Sequence, residues 1–237
     1  MKSRIFPALA ALGAIAILVW LGVWQLQRRD WKNSLLTRFE TALVKPPAAY
    51  NPVQPASPKK REFMRVRVKG EFMSADTARI MSAAPEEQRA QLGEDFGYLL
   101  FVPLKFQGGI VFVNRGFVPL SLAGSPDLVP KGETEVTGIV RLSQKPGWLS
   151  PPANAAKRQF YVADIPAMAD AAGLAGDKAI ESEYIQAEPM AGAPRWPEAR
   201  DPKELLASIP NDHLEYAITW FGLAAAACVF GFYIVRA

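Results

Sequence analysis

The chain ends in NDHLEYAITWFGLAAAACVFGFYIVRA, Asn211 to Ala237, and this stretch limits its possible folds more than any other. From Leu214 to Val235 there are twenty-two residues with one charge, Glu215, at the start. A helix rising about 1.5 Å per residue spans roughly 33 Å over that length, enough to cross a hydrocarbon core of about 30 Å. The N-terminus repeats the pattern: Phe6 to Leu26, FPALAALGAIAILVWLGVWQL, is twenty-one residues without a charge. It is too long for the apolar core of a signal peptide, and no A-x-A-like site precedes Gln27. Both stretches are expected to be transmembrane helices, at 6–26 and 211–235, leaving tails of 1–5 and 236–237.

Mean hydropathy is only +0.03 because these ends flank a polar middle. The formal charge of +4 is spread along the chain, with no basic run interleaved with aromatics, so a nucleic-acid partner is not expected. Cys228 is the only cysteine, which excludes an intrachain disulfide. One histidine and one cysteine do not make a conventional zinc site. P-loop, dinucleotide-binding and serine-hydrolase patterns are absent. No nucleophile stands beside a plausible base, so the chain is not expected to be an enzyme.

After the first span, QRRDWKNSLLTRFETALVK continues as a helical extension over 27–45, with Leu35, Leu36, Phe39 and Leu43 as an apolar stripe meant for the soluble domain. Pro46 and Pro47 end it, and 46–60 reads as a proline-rich linker. Residues 61–210 form the soluble domain. Strands are expected in FMRVRVKGEF, ARIMSA, TEVTGIVRL, FYVAD and EYIQAE. FGYLLFVPLKF and IVFVNRGFV should form a hairpin about Gln107-Gly108-Gly109. IPAMADAAG is a helix stopped by Gly173, and DPKELLAS a short helix capped by Asp201 with Pro202 first. The expected class is a membrane protein of α+β type. Two transmembrane helices flank a mainly antiparallel β domain, a small barrel or sandwich.

Helical spacing puts His213, Tyr216, Ala217, Trp220, Ala224, Ala227 and Gly231 on one face of the last helix, which Asp212 and Glu215 start with capping-box spacing. Such a stripe of small residues below a ring system admits a second helix or a planar ligand. In an antiparallel pair, Trp20 and Trp24 stand at the depth of Trp220 and Tyr216. These aromatics serve either as interfacial anchors or as a ligand wall. His213, the only histidine, is on composition alone either a cap or a ligand.

Three stretches, LGVWQLQRRDWK with Trp31, VNRGFVP with Asn114, Arg115 and Gly116, and NDHLEYAITWFGLA with Asn211 and His213, resemble the Surfeit-locus-1 family of cytochrome oxidase assembly proteins. The resemblance runs along the whole chain in order and spacing. It departs at Phe117, where the family usually has tryptophan, and at Phe160. It implies an accessory protein of the respiratory membrane that binds haem a and hands it to the haem-bearing catalytic subunit of cytochrome c oxidase. The haem a synthesis machinery is a second expected partner. The resemblance makes His213 the haem-iron ligand, with Tyr216, Trp220 and Trp24 as cofactor-binding candidates. A non-haem scaffold for an oxidase intermediate is the alternative. Arg28 and Arg29 either pair with haem propionates or meet lipid headgroups. Arg115 either pins the hairpin through carbonyls or touches a ligand.

Counting charges near the membrane ends, Lys2, Arg4 and Arg236 face Arg28, Arg29, Lys32, Arg38, Arg195, Arg200 and Lys203 on the loop side. Taken literally, that places the domain in the cytoplasm, but long domains translocate largely regardless of charge. The resemblance places it outside, and a span starting almost at Met1 leaves no room for a mitochondrial transit peptide. The expectation is therefore the bacterial inner membrane, with cytoplasmic termini and a periplasmic domain.

Overall fold

The computed structural model describes residues 2–54, 57–86, 89, 92–176, 179–190, 192, 194–207 and 211–236. Its contacts divide it into two compact units, Met1–Glu40 with Leu206–Ala237, and Thr41–Leu205.

Among the described residues of the first unit, two helices are long and apolar enough to cross a membrane. The N-terminal helix α1 (Lys2–Val44) runs for 43 residues, so the apolar span and its polar continuation are one rod. Past Pro7, no proline interrupts it until Pro46 and Pro47 follow its end. The C-terminal helix, His213–Arg236, starts at the histidine.

Among its described residues, the second unit is built on an eight-stranded sheet. Its strands are β1 (Ala48–Ala49), β2 (Arg65–Phe72), β3 (Ala78–Ala83), β4 (Phe96–Phe106), β5 (Gly109–Pro119), β6 (Glu133–Leu142), β7 (Gln159–Phe160) and β8 (Glu183–Ala187). β2 pairs with β6, β6 with β8, β8 with β5 and β5 with β4. A further pairing of Gly70 to Phe72 with Leu104 to Phe106 joins β4 back to β2 and closes a ring of five strands. Most pairings are antiparallel. β5 with β8, β3 with β7 and β1 with β2 run parallel.

β2 alternates strictly, with Val66, Val68, Gly70 and Phe72 buried and the residues between them facing out. β4 and β5 do not alternate, because both their faces are covered. Leu100, Val102, Leu104, Val111 and Val113 join one core with Val66, Val136 and Ile185. Phe101, Ile110 and Phe112 join another with Ile165, Met168 and Ala169 of a short helix, α3 (Ile165–Ala172). The continuous apolar runs of this hairpin are thus two half-cores read in one line. Asp164 accepts a hydrogen bond from the Ala167 N–H at the start of α3, and Gly173, at φ 71°, ends it. The hairpin connection is Gln107-Gly108, and Gly109 opens β5 at φ 133°.

Two expectations about this unit shift in detail. FYVAD yields only the two-residue β7, because Tyr161 bends out to solvent and Asp164 is taken as the α3 cap. The stretch 46–60 carries structure: Ala48 and Ala49 pair with Val66 and Arg67, and Pro58–Arg61 is a turn of helix, α2. What holds that stretch is a buried charge. Glu183 is fully buried on β8, and both its oxygens lie 2.9 Å from Nε of Arg61 at the end of α2. The Tyr50 hydroxyl, just past β1, donates to the same carboxylate at 2.9 Å. Burial first, then the Glu183 charge and hydrogen bond, push the Tyr50 hydroxyl far above its ordinary pKa, so it stays a donor.

Removing one partner from such a pair leaves the other charge buried and unpaired, at a cost of about 3–5 kcal/mol. Glu183→Gln is therefore expected to destabilise by that order. The paired change Arg61→Met with Glu183→Leu should cost much less, because it removes both charges. Pulse proteolysis in urea on the detergent-solubilised chain measures both.

Candidate functional site

The first unit brings the motif residues of both chain ends together. Gly22 of α1 faces the Phe221 ring so closely that a Cβ there would lie 2.7 Å from ring carbons. Towards the other end, Gly231 meets the Ala11 side chain. Ala217 and Ala224 are buried, and His213, Trp220, Ala227 and Gly231 are half-buried, on the same face. The C-terminal helix, α4 (His213–Arg236), therefore packs on α1 through the small-residue stripe legible in its sequence.

At the polar end of this seam, Nδ1 of His213 lies 2.8 Å from Oε1 of Gln25. Farther out, the Asn211 amide donates to Oδ1 of Asn33 at 2.8 Å. With the Gln25 oxygen toward the ring, Nδ1 is the donor, and in the neutral imidazole that arrangement leaves the lone pair on Nε2. An imidazole held this way presents a ligand nitrogen of fixed orientation. Two further polar atoms of the seam are buried without a partner among the described residues, Trp220 Nε1 and Asn211 Oδ1.

The other candidates are placed less uniformly. Tyr216, Trp24 and Trp31 are about half exposed, on the outer faces of the pair. Arg28 lies outward with its guanidinium 4.0 Å above the Trp31 ring, and Arg29 is half-buried. Of the sequence-derived set, the seam thus unites His213, Trp220 and Asn211, while Tyr216, Trp24 and Trp31 face away from it. Gln25 had not been singled out. Its signal is an amide inside an otherwise apolar span, where a polar side chain needs a partner.

Asn114, Arg115 and Gly116 belong to the β unit, where they form a bulge. Leu99 pairs with Phe117 but Phe101 with Asn114, so β5 carries one extra residue. Gly116 stands at φ 113°, and a Cβ there would fall 2.1 Å from the Glu198 carbonyl oxygen. Asn114 Oδ1 accepts from the Gly116 N–H at 3.0 Å. The Arg115 guanidinium donates to the Leu128 carbonyl and lies over the Phe72 ring. Burial pushes its pKa down to about 10.

The SURF1 family model matches residues 12–225 of the chain. Surfeit locus protein 1 of Gallus gallus is 30% identical over 220 residues, covering 87% of this chain and 68% of that protein. Surfeit locus protein 1 of Arabidopsis thaliana is 28% identical, covering 89% and 72%. A SURF1-like protein of Monosiga brevicollis is 28% identical, covering 91% and 82%.

Since His213 is the only histidine, ¹⁵N-histidine labelling reports one side chain. The imidazole of the haem-free protein is expected to show the Nδ1–H tautomer with an unprotonated Nε2. In Gln25→Leu it should shift toward the Nε2–H tautomer. An unchanged tautomer in that variant would mean that Gln25 does not set the ring.

Proposed function

The chain belongs to the SURF1 family, and from that premise we propose that it is an assembly factor of cytochrome c oxidase that holds haem a through His213. The observation that carries the reading is the His213–Gln25 pair, which leaves one imidazole nitrogen as a ready ligand. The donor set suits the group: an imidazole for iron, an indole N–H at Trp220 buried without an acceptor among the described residues, and the cations Arg28 and Arg29 within about one turn of Gln25. Haem would supply an iron centre that accepts the Nε2 lone pair; everything else asked of the chain is binding and release. In this role the protein turns nothing over. Its partners are the haem-bearing catalytic subunit of the oxidase and the machinery that makes haem a, and it works in the lipid bilayer.

A second reading, a scaffold that steadies an oxidase intermediate without haem, draws on the outward aromatics Trp20, Trp24 and Tyr216. Side chains of that kind on the outer face of a helix pair are suited to lateral contact with another membrane subunit.

Chain purified from cells that make haem a is expected to show a haem a absorption spectrum. His213→Ala should reduce haem occupancy or alter the spectrum, with membrane insertion intact. Unchanged spectrum and occupancy in His213→Ala would remove His213 as ligand. Wild-type protein that never carries haem would favour the scaffold.

The proposed location is the bacterial inner membrane, with both termini cytoplasmic and the β domain periplasmic. A reporter active only in the periplasm should be silent when fused after Ala237 and active when inserted in the loop after Pro189. The reverse pattern would invert the orientation.

A further inference from the structure

The bulge at Asn114 to Gly116 builds something besides a bend. Beyond it, β5 gives up β8 as its neighbour, and Phe117 pairs instead with Glu198, its N–H and carbonyl bonding at 2.9 and 2.8 Å. The gap between that segment and β8 is a cavity of about 240 Å³, entirely within the β unit. Leu99, Phe117, Ala83 and Ala199 supply an apolar wall. Ser82, Asn114, Arg141, Tyr184, Gln186 and Arg200 supply the polar lining, together with the carboxylate of Glu198.

The polar groups are mostly donors. Arg141 and Arg200 make no ion pair or hydrogen bond among the described residues, and Nε of Arg141 is buried without a partner. Arg141 instead stacks over the Phe63 ring at 5.2 Å, which holds the guanidinium in place. Asn114 spends its oxygen on the Gly116 N–H, leaving its NH₂ as a further donor. Burial of Tyr184 pushes its hydroxyl pKa up, so it too remains a donor.

We infer that this cavity binds a carboxylate carried on a short apolar stem. Two guanidiniums against one lining carboxylate leave a surplus positive charge, and the planar fork of arginine matches a carboxylate in two-point contact. The volume and the apolar wall exceed what a bare inorganic ion needs, yet fall below the ~300 Å³ at which pockets for larger ligands begin. A free short-chain acid and the terminal carboxylate of a peptide share this chemistry. The motif VNRGFVP acquires a purpose here: Gly116 lets the 198–200 segment close the wall, and Asn114 presents its amide beside the cavity. The inference does not depend on haem.

The test is calorimetric titration of the detergent-solubilised full chain with butyrate, butyramide and inorganic phosphate at one ionic strength. Butyrate should bind saturably, butyramide should not, and phosphate should bind about tenfold more weakly than butyrate. Arg141→Gln and Arg200→Gln should each weaken butyrate by about tenfold. Ala83→Leu, which fills the cavity from the exposed edge of β3 and leaves both guanidiniums in place, should abolish binding with the circular dichroism unchanged. A tetrapeptide with a free C-terminal carboxylate that binds more tightly than butyrate would assign the site to a peptide end, and weaker binding to a free acid. Equal binding of butyrate and butyramide, phosphate as tight as butyrate, or full affinity in both Arg200→Gln and Ala83→Leu would overturn the proposal.

Discussion

Hydrocarbon offers no partner to a polar side chain, and this single constraint shapes the helix pair. Gln25 and His213 can sit near the ends of otherwise apolar spans because each satisfies the other. Asn33 and Asn211 repeat the arrangement farther out. Neither bond forms unless the helices come close, and the approach depends on side chains that are nearly absent. A methyl group at Gly22 would collide with the Phe221 ring, and Ala217 and Ala224 are buried against the seam. Small residues permit the contact, and polar residues fix its register.

In the β unit the ordering problem is different, because water is available and the difficulty is a buried charge. Burying one large apolar side chain contributes about 1.5–3 kcal/mol, whereas an unpaired buried carboxylate costs more than one such contribution returns. Glu183 is tolerable only because Arg61 and Tyr50 both reach it. Those two residues belong to the stretch between the N-terminal helix and β2, so the charge anchors a segment whose composition reads as a tether. A leucine at 183 would pack as well but would give Arg61 and Tyr50 no reason to dock. The carboxylate therefore acts more through specificity than through net stability, a use of buried ion pairs that their energetics permit.

What the sequence revealed follows the range of its signals. The two spans, the alternation of β2, the hairpin about Gln107-Gly108 and the Asp164 and Gly173 caps of α3 are local patterns, and local patterns are readable along one strand of text. The stripe His213, Ala217, Trp220, Ala224 was visible because periodicity alone defines a helix face, but Tyr216 lies only one step from that face and turned out exposed. The Glu183 cluster joins residues 122 and 133 positions apart, and no pattern of a single chain announces such a pair. Gln25 was a different failure. An amide in an apolar span was in plain view, yet nothing local says which partner it needs. Ring closure through β2 and β4 was equally hidden, since three residue pairs decide it.

The VNRGFVP stretch shows how a backbone requirement and a chemical one become tied in a single motif. Gly116 is compelled twice, by its positive φ and by a neighbouring carbonyl 2.1 Å from where a Cβ would be. The bulge it permits bonds to Asn114 Oδ1, so an alanine at 114 would leave the turn without its acceptor. Phe117, where the family more often has tryptophan, is buried and meets the Trp196 ring edge-on, so a second aromatic restores the bulk in that layer. The indole N–H that a tryptophan would bring has no counterpart in phenylalanine. On the bulge beside it, Asn114 spends its oxygen on the Gly116 N–H, and its NH₂ is the donor that the same side chain still carries.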